Sequence, residues 1–239
     1  MQRITRNHRG VTLVELMVAL AVGGIAMAGI YGVYNAQMKA HVTQSAVVDN
    51  QQNLRNAIYF IQGSLRMAGF DPSRVVRTSD ASRTDANKRL GLLTATNLSN
   101  LCTAISCNNP GTVGTGASAI AFTLDWNGDG SGAGIGVIER LDTEVVAFRH
   151  NAANRTIERF GAASGWREVA ENIASLEFAY FDQNGLAITN LETKAQLDQV
   201  RSVQVTVVSV PPRQVTGAAG NKAESRLSAL VKLRNSGLL

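Results

Sequence analysis

From Val11 to Tyr31 the chain reads VTLVELMVALAVGGIAMAGIY, twenty-one residues with Glu15 as the only charge. A helix of that length spans roughly 30 Å, the thickness of a bilayer's hydrocarbon core. Few folds offer such a segment a place, because a helix that is apolar all round must be buried or sit in lipid. Glu15 makes it stranger still. An acidic or basic group at the centre of a membrane helix costs roughly 2.5–3.5 kcal/mol on insertion scales.

The flanks set an orientation. Arg3, Arg6 and Arg9 precede the run and no acid accompanies them. That bias predicts residues 1–10 in the cytoplasm and the remainder outside. Setting these three arginines aside lowers the net charge from +5 to +2. The basicity therefore belongs largely to the N-terminal flank and argues little for nucleic acid. A cleaved secretory signal has the same charge layout, and Ala26-Met27-Ala28 supplies a small-residue cleavage site. Against it, Glu15 interrupts the apolar region that such signals need. A plain membrane anchor explains the length of the run but not its acid.

Beyond Tyr31 the pattern turns amphipathic. Val47, Leu54, Ile58, Ile61, Leu65 and Ala68 recur at helical spacing, with Gln51, Gln52, Asn56 and Gln62 on the other side. No proline occurs before Pro72, and Gly69 with Pro72 reads as a helix stop. One helix from about Thr12 to Ala68 is predicted. Gly23, Gly24, Gly29 and Gly32 weaken its first half by up to about 1 kcal/mol each relative to Ala. They also permit close packing of helices in a membrane.

The stretch RGVTLVELMVAL, Arg9 to Leu20, resembles the class III signal of type IV prepilins: a short basic leader, a glycine, an apolar residue, then T-L-V-E-L. The resemblance implies cleavage by prepilin peptidase between Gly10 and Val11 and N-methylation of Val11. The usual residue at the latter position is Phe, so Val11 departs from the commonest form while keeping an apolar side chain. It also implies that Glu15 of one subunit meets the cationic amine of its neighbour as helices bundle into a filament. Methylation leaves that amine charged. A second block, NLRNAIYFIQGSLRMAGF, is similar to the corresponding region of PilW-type minor pilins and ends in Arg66-Met67-Ala68-Gly69-Phe70. The two blocks cover about the first third of the chain.

The remainder divides by composition. Residues 71–117 are rich in Ser, Thr, Asn and Arg, and read as an irregular insert with one short helix. Cys102 and Cys107 are the only cysteines. An even count outside the cytoplasm favours a disulfide, and two sulfurs with no nearby His fall short of a metal site. From Ser118 onward AIAFTL, GVIERL, EVVAFRH, RTIERF, SLEFAYF, VRSVQVTVVSV and RLSALVKLR read as strands. Turns are expected at Asn154-Arg155 and Asn184-Gly185. A helix with one apolar stripe and a sheet with one apolar face satisfy each other, so the fold class is α+β: one long N-terminal helix on an antiparallel sheet domain. That is the pilin architecture which the resemblance also implies.

Other candidate sites are weaker. Asp125, Asn127 and Asp129 have the D-x-N-x-D-G spacing of the first half of a calcium loop, with Gly130 at the sharp turn. The twelfth position is Gly136 rather than Glu, and Glu139 and Glu144 are the available substitutes. A polar turn explains the same residues. Acids such as Asp142 and Glu144 read as a solvated strand face. His8, His41 and His150 stand apart, and no G-x-S-x-G, H-E-x-x-H or Walker A occurs, which argues against an enzyme. Arg74, Arg77, Arg83, Lys88 and Arg89 form a basic stretch without interleaved aromatics, which reads as a solvated loop.

The expectation is a non-enzymatic minor pilin of a type IV pilus that contributes to initiation of the filament. Its layout is a leader at 1–10, a transmembrane and filament-core helix at 11–31, an amphipathic helix at 32–69 and a periplasmic β-rich head at 70–239. Its partners are other minor and major pilins, prepilin peptidase and the inner-membrane assembly platform. It resides first in the inner membrane and then in a filament serving motility and adhesion. The alternatives are a J-type pseudopilin of type II secretion and an anchored adhesin or DNA-binding module.

Overall fold

The first helix, α1, runs from Leu13 to Arg66, within two residues of the predicted bounds at each end. The computed structural model describes residues 10–70, 91–126, 138–210 and 224–235. The chain forms two units, Met1–Ala46 and Val47–Leu239.

In the first unit, α1 starts at Thr12, whose Oγ1 accepts the backbone N–H of Glu15 at 3.2 Å. A threonine in this place satisfies one of the four N–H groups that the first turn leaves without partners. The apolar side chains that follow are open to the surroundings, with Val11 and Ile25 about three-quarters exposed. This part of α1 is long and apolar enough to cross a membrane, and none of that window is buried within the structure.

Within the second unit α1 has a core face. Leu54, Ala57, Ile58, Ile61, Leu65 and Ala68 are buried, whereas Gln51, Gln52 and Asn56 are exposed. From Leu54 onward the stripe read from the sequence is thus the packed stripe, with Ala57 added, whereas Val47 is only half-buried. The helix stops where Gly69 takes φ +71°, a conformation that favours glycine, and its N–H turns to the Thr123 carbonyl at 2.9 Å.

Two antiparallel sheets complete the unit. The first holds β1 (Gly91–Leu92), β2 (Ala119–Thr123), β3 (Val145–Asn151), β4 (Thr156–Gly161) and β5 (Gly165–Ala170), paired in that order. The second holds β6 (Ile173–Phe181), β7 (Ala187–Ile188), β8 (Ser202–Ser209) and β9 (Ser225–Lys232) in the order β7-β6-β8-β9. Helix α2 (Ala95–Ala104) lies between β1 and β2 in the chain, and α3 (Lys194–Leu197) between β7 and β8.

Alternation along β2 and β3 sorts residues into two cores. Ile120, Phe122, Val146 and Phe148 join the α1 stripe and the inner residues of the second sheet, including Val203, Val205 and Val207. The Phe60 ring meets Phe148 edge-on, centroids 6.0 Å apart. Ala121, Val145, Ala147 and Phe160 face the other way, onto Leu98, Leu101 and Cys102 of α2. The first sheet is therefore covered on both sides, which is why β2 is buried at four of its five positions. Tyr180 links the sheets: its phenol donates to the Gly116 carbonyl at 2.8 Å, and burial raises its pKa well above the usual value.

Both expected turns occur. Arg155 takes φ +56° and Gly185 φ +78°, with Asn151 and Asp182 side chains accepting the turn N–H groups. The sequence reading fails at GVIERL. Its described part, from Ile138 to Leu141, is not a strand. Ile138 is a buried anchor, and the Glu139 N–H goes to the Glu144 carboxylate rather than into a ladder. Conversely GWREVA, absent from the strands read in the sequence, forms β5. Its Trp166 is held under the Arg149 guanidinium, 3.9 Å from the ring centroid.

The acids near β3 are not a solvated face. Glu144 is fully buried. Asp142 Oδ1 accepts the N–H groups of Ala163 and Ser164, both at 2.8 Å, and so ties off the β4–β5 turn. Burial works against its charge, but those bonds from Ser164 and Ala163, with the Arg159 charge, outweigh it and hold the carboxyl below its ordinary pKa.

Candidate functional site

The segment from Gly10 to Glu15 brings together the residues with the most specific sequence signature. Gly10, Val11 and Thr12 precede the helix, and all are exposed. The Gly10–Val11 bond thus lies in non-helical backbone, the form that a protease can engage. Nothing lies within 4 Å of where a Cβ on Gly10 would stand. Packing among the described residues therefore does not call for glycine at this position.

Glu15 occupies the third helical position, next to the free N–H groups of the first turn, where a negative charge is favoured by about 0.3–1 kcal/mol. Its side chain is exposed. Thr12 is the site residue that sequence reasoning missed. The signal was present: T-x-x-E at residues 12–15 is the capping-box pattern, of which the Thr12 half is formed. The cap fixes where the helix begins, and so sets how much of the interval from Val11 to Glu15 is helical.

The predicted disulfide is present. Cys102 and Cys107 are bonded, with Cα atoms 4.8 Å apart. It closes the C-terminal end of α2 and leads into Asn108, whose backbone and side chain donate to the Ala162 and Ala163 carbonyls at 3.0 and 2.6 Å. The bridge thereby pins α2 over the second core rather than joining distant elements.

The calcium pattern is only partly in view. Asn127 and Asp129 lie outside the described residues. Asp125 is buried beside Glu144, and among the described residues no three His, Cys, Asp or Glu side chains are grouped to hold a metal. Glu144 has a different task. Its carboxylate accepts the N–H groups of Glu139 at 2.6 Å and Trp126 at 3.4 Å, one on each side of residues 127–137. Burial pushes its pKa up. The two backbone N–H groups oppose that shift, and the Asp125 and Glu139 charges reinforce it.

A pH dependence follows. A raised folded-state pKa means that ionised Glu144 costs stability at neutral pH. This cost disappears as pH falls through the folded pKa toward the ordinary carboxylate range. From about pH 7.5 down to about pH 4.5 the melting temperature of wild type is therefore expected to rise relative to that of Glu144→Gln. A melting difference independent of pH contradicts the raised pKa.

Of the remaining candidates, only His41 and His150 fall among the described residues, and they stand apart. His8 and the basic stretch from Arg74 to Arg89 lie outside the described residues. His41 is exposed, and the His150 ring Nε2 is 3.1 Å from the Ile173 carbonyl.

Residues 5–31 match the family model of the prokaryotic N-terminal methylation motif. This is a type IV prepilin-like motif, carried by a structural protein family, and it fits a type IV pilin or pseudopilin. It implies processing by prepilin peptidase and association with other pilins, and with the apolar helix it fits membrane anchoring. A search of curated proteins finds no match to the chain.

Proposed function

We propose that this chain, which carries a type IV prepilin-like N-terminus on a pilin-like α+β fold, is a minor pilin of a type IV pilus, of PilW type. Prepilin peptidase cuts between Gly10 and Val11, and the new Val11 amine is methylated. The protein waits in the inner membrane with its C-terminal unit in the periplasm. It then joins other minor and major pilins at the assembly platform, and helps to initiate the filament. Its role is structural rather than enzymatic.

One observation carries the reading: the methylation motif coincides with an accessible glycine–valine bond, a capped helix start and a lone carboxylate in the first turn. Helix packing in a filament covers the apolar side chains left open around α1. Pairing of Glu15 with a neighbour's amine need not add net stability, because desolvation offsets the attraction. It selects register instead, since a slipped neighbour leaves two charges buried without partners.

The deciding measurement is the intact mass of the protein extracted from cells. The expected species lacks residues 1–10, carries one methyl group on Val11 and lacks the two thiol hydrogens of Cys102 and Cys107. A protein that begins at Met1, or at Gly29 with the apolar run removed, overturns the proposal. Genes for a pilus rather than a secretion apparatus beside this one are expected, and separate it from the pseudopilin alternative.

A further inference from the structure

We propose that β9 is a docking edge, to which an extended acidic segment of another protein adds as a further strand of the second sheet. This goes beyond the filament reading and holds whether or not Gly10 is a cleavage site.

The edges of the two sheets are unequal. The outer edge of β6 is occupied, by β7 at Tyr180 and Phe181 and by the Phe178 N–H donating to the Ala117 carbonyl at 2.8 Å. β1 is two residues long. β5 follows a register shift at Ile157/Glu158 and sets Arg167 beside Glu168, devices that discourage pairing. β9 has neither protection. All eight residues pair with β8 in unbroken register, from Ser202↔Lys232 to Ser209↔Ser225. Among the described residues, its backbone bonds only to β8.

The side chains say what fits there. Leu227 and Ala229 point inward with Val231 but are only half-buried, whereas Val203, Val205 and Val207 of the adjacent strand are fully covered. One more strand covers them. The outward face carries Arg226 and Lys232, and Arg234 follows. Arg226 has Glu177 at 3.9 Å, while Lys232 and Arg234 have no carboxylate partner among the described residues. A second copy is a poor occupant. Antiparallel self-pairing centred on Ala229, a register that keeps the two inward faces on one side, sets Arg226 against Lys232 at both ends, and like charges directly opposite destabilise a pair. The charges that keep copies of this chain apart select an acidic strand.

The test uses the full chain in detergent and three nine-residue probes: alternating valine–glutamate, alternating proline–glutamate and alternating valine–lysine. Hydrogen exchange at β9 amides and probe fluorescence anisotropy are read together. The valine–glutamate probe is expected to bind and to slow exchange within Ser225–Lys232. The proline probe has no N–H groups at every second position and is expected to give no protection, as is the lysine probe. The double variant Arg226→Glu, Lys232→Glu is expected to keep its melting temperature and lose about tenfold or more in affinity. Equal protection by the proline probe, undiminished binding by the folded double variant, or concentration-dependent protection of β9 without any probe each overturns the proposal. The last of these outcomes means that a second copy is the occupant.

Discussion

Glu15→Ala is expected to leave the melting of the β-rich unit unchanged and to remove the chain from filaments. The carboxylate is exposed in the isolated chain and has no partner among the described residues. Within the chain the substitution costs no more than the helix-terminus term of about 0.3–1 kcal/mol. In the proposed assembly the balance differs. Deleting the acid leaves a neighbour's cationic amine buried and unpaired, and breaking a buried pair in this way costs about 3–5 kcal/mol. Each 1.4 kcal/mol is a factor of about ten in an equilibrium, so incorporation falls at least about a hundredfold. Immunoblots of sheared filaments against the membrane fraction measure it. Glu15→Gln keeps the shape without the charge and is expected to fail equally. Normal incorporation of either variant, with processing intact, means that Glu15 does not pair in the assembly.

The largest effect on stability is expected at Ile61. It is fully buried, one turn before Leu65, in the core shared by α1 and both sheets. Ile61→Ala removes apolar contact and leaves a cavity that neighbours on three elements cannot all collapse to fill. Such substitutions cost about 2–5 kcal/mol. For a unit of this size each kcal/mol lowers the melting temperature by about 2–4 °C, so a drop of roughly 5–20 °C follows. Tyr59, two positions earlier on the same helix, is 70% exposed. Tyr59→Ala is expected to stay within about 0.5 kcal/mol of wild type. The contrast tests the assignment of faces along α1, because a uniform loss at both positions contradicts it.

Much of the molecule was legible from local chemistry. The limits of α1 follow from the apolar run, the absence of proline and a glycine stop. Its packed stripe follows from helical periodicity. Six of the seven strands read from the sequence are present, since their apolar residues recur at a period a sheet imposes. The cysteine pair was legible because its partners lie five residues apart. Where reading failed, the local signal pointed elsewhere. GVIERL has the composition of a strand, but a buried carboxylate takes its N–H. GWREVA was missing from the strands read because its charges break the apolar alternation, and Arg149 covers its tryptophan from another strand. Asp142 and Glu144 looked like surface acids, because nothing near them in the chain reveals the backbone N–H groups that they accept.

The sequence by itself determined the apolar N-terminal helix, its lone acid and the glycine before it, because length, charge placement and spacing act within a turn or two of chain. Only the tertiary structure decided that the strands divide into two sheets, that the first is covered on both faces, and that among the described residues β9 pairs on one side only. Those outcomes depend on which strands meet across long separations, as when Phe178 turns its N–H to Ala117 and closes one edge while nothing described closes the other. Alternation tells a strand which face is apolar, but not which neighbour will cover it.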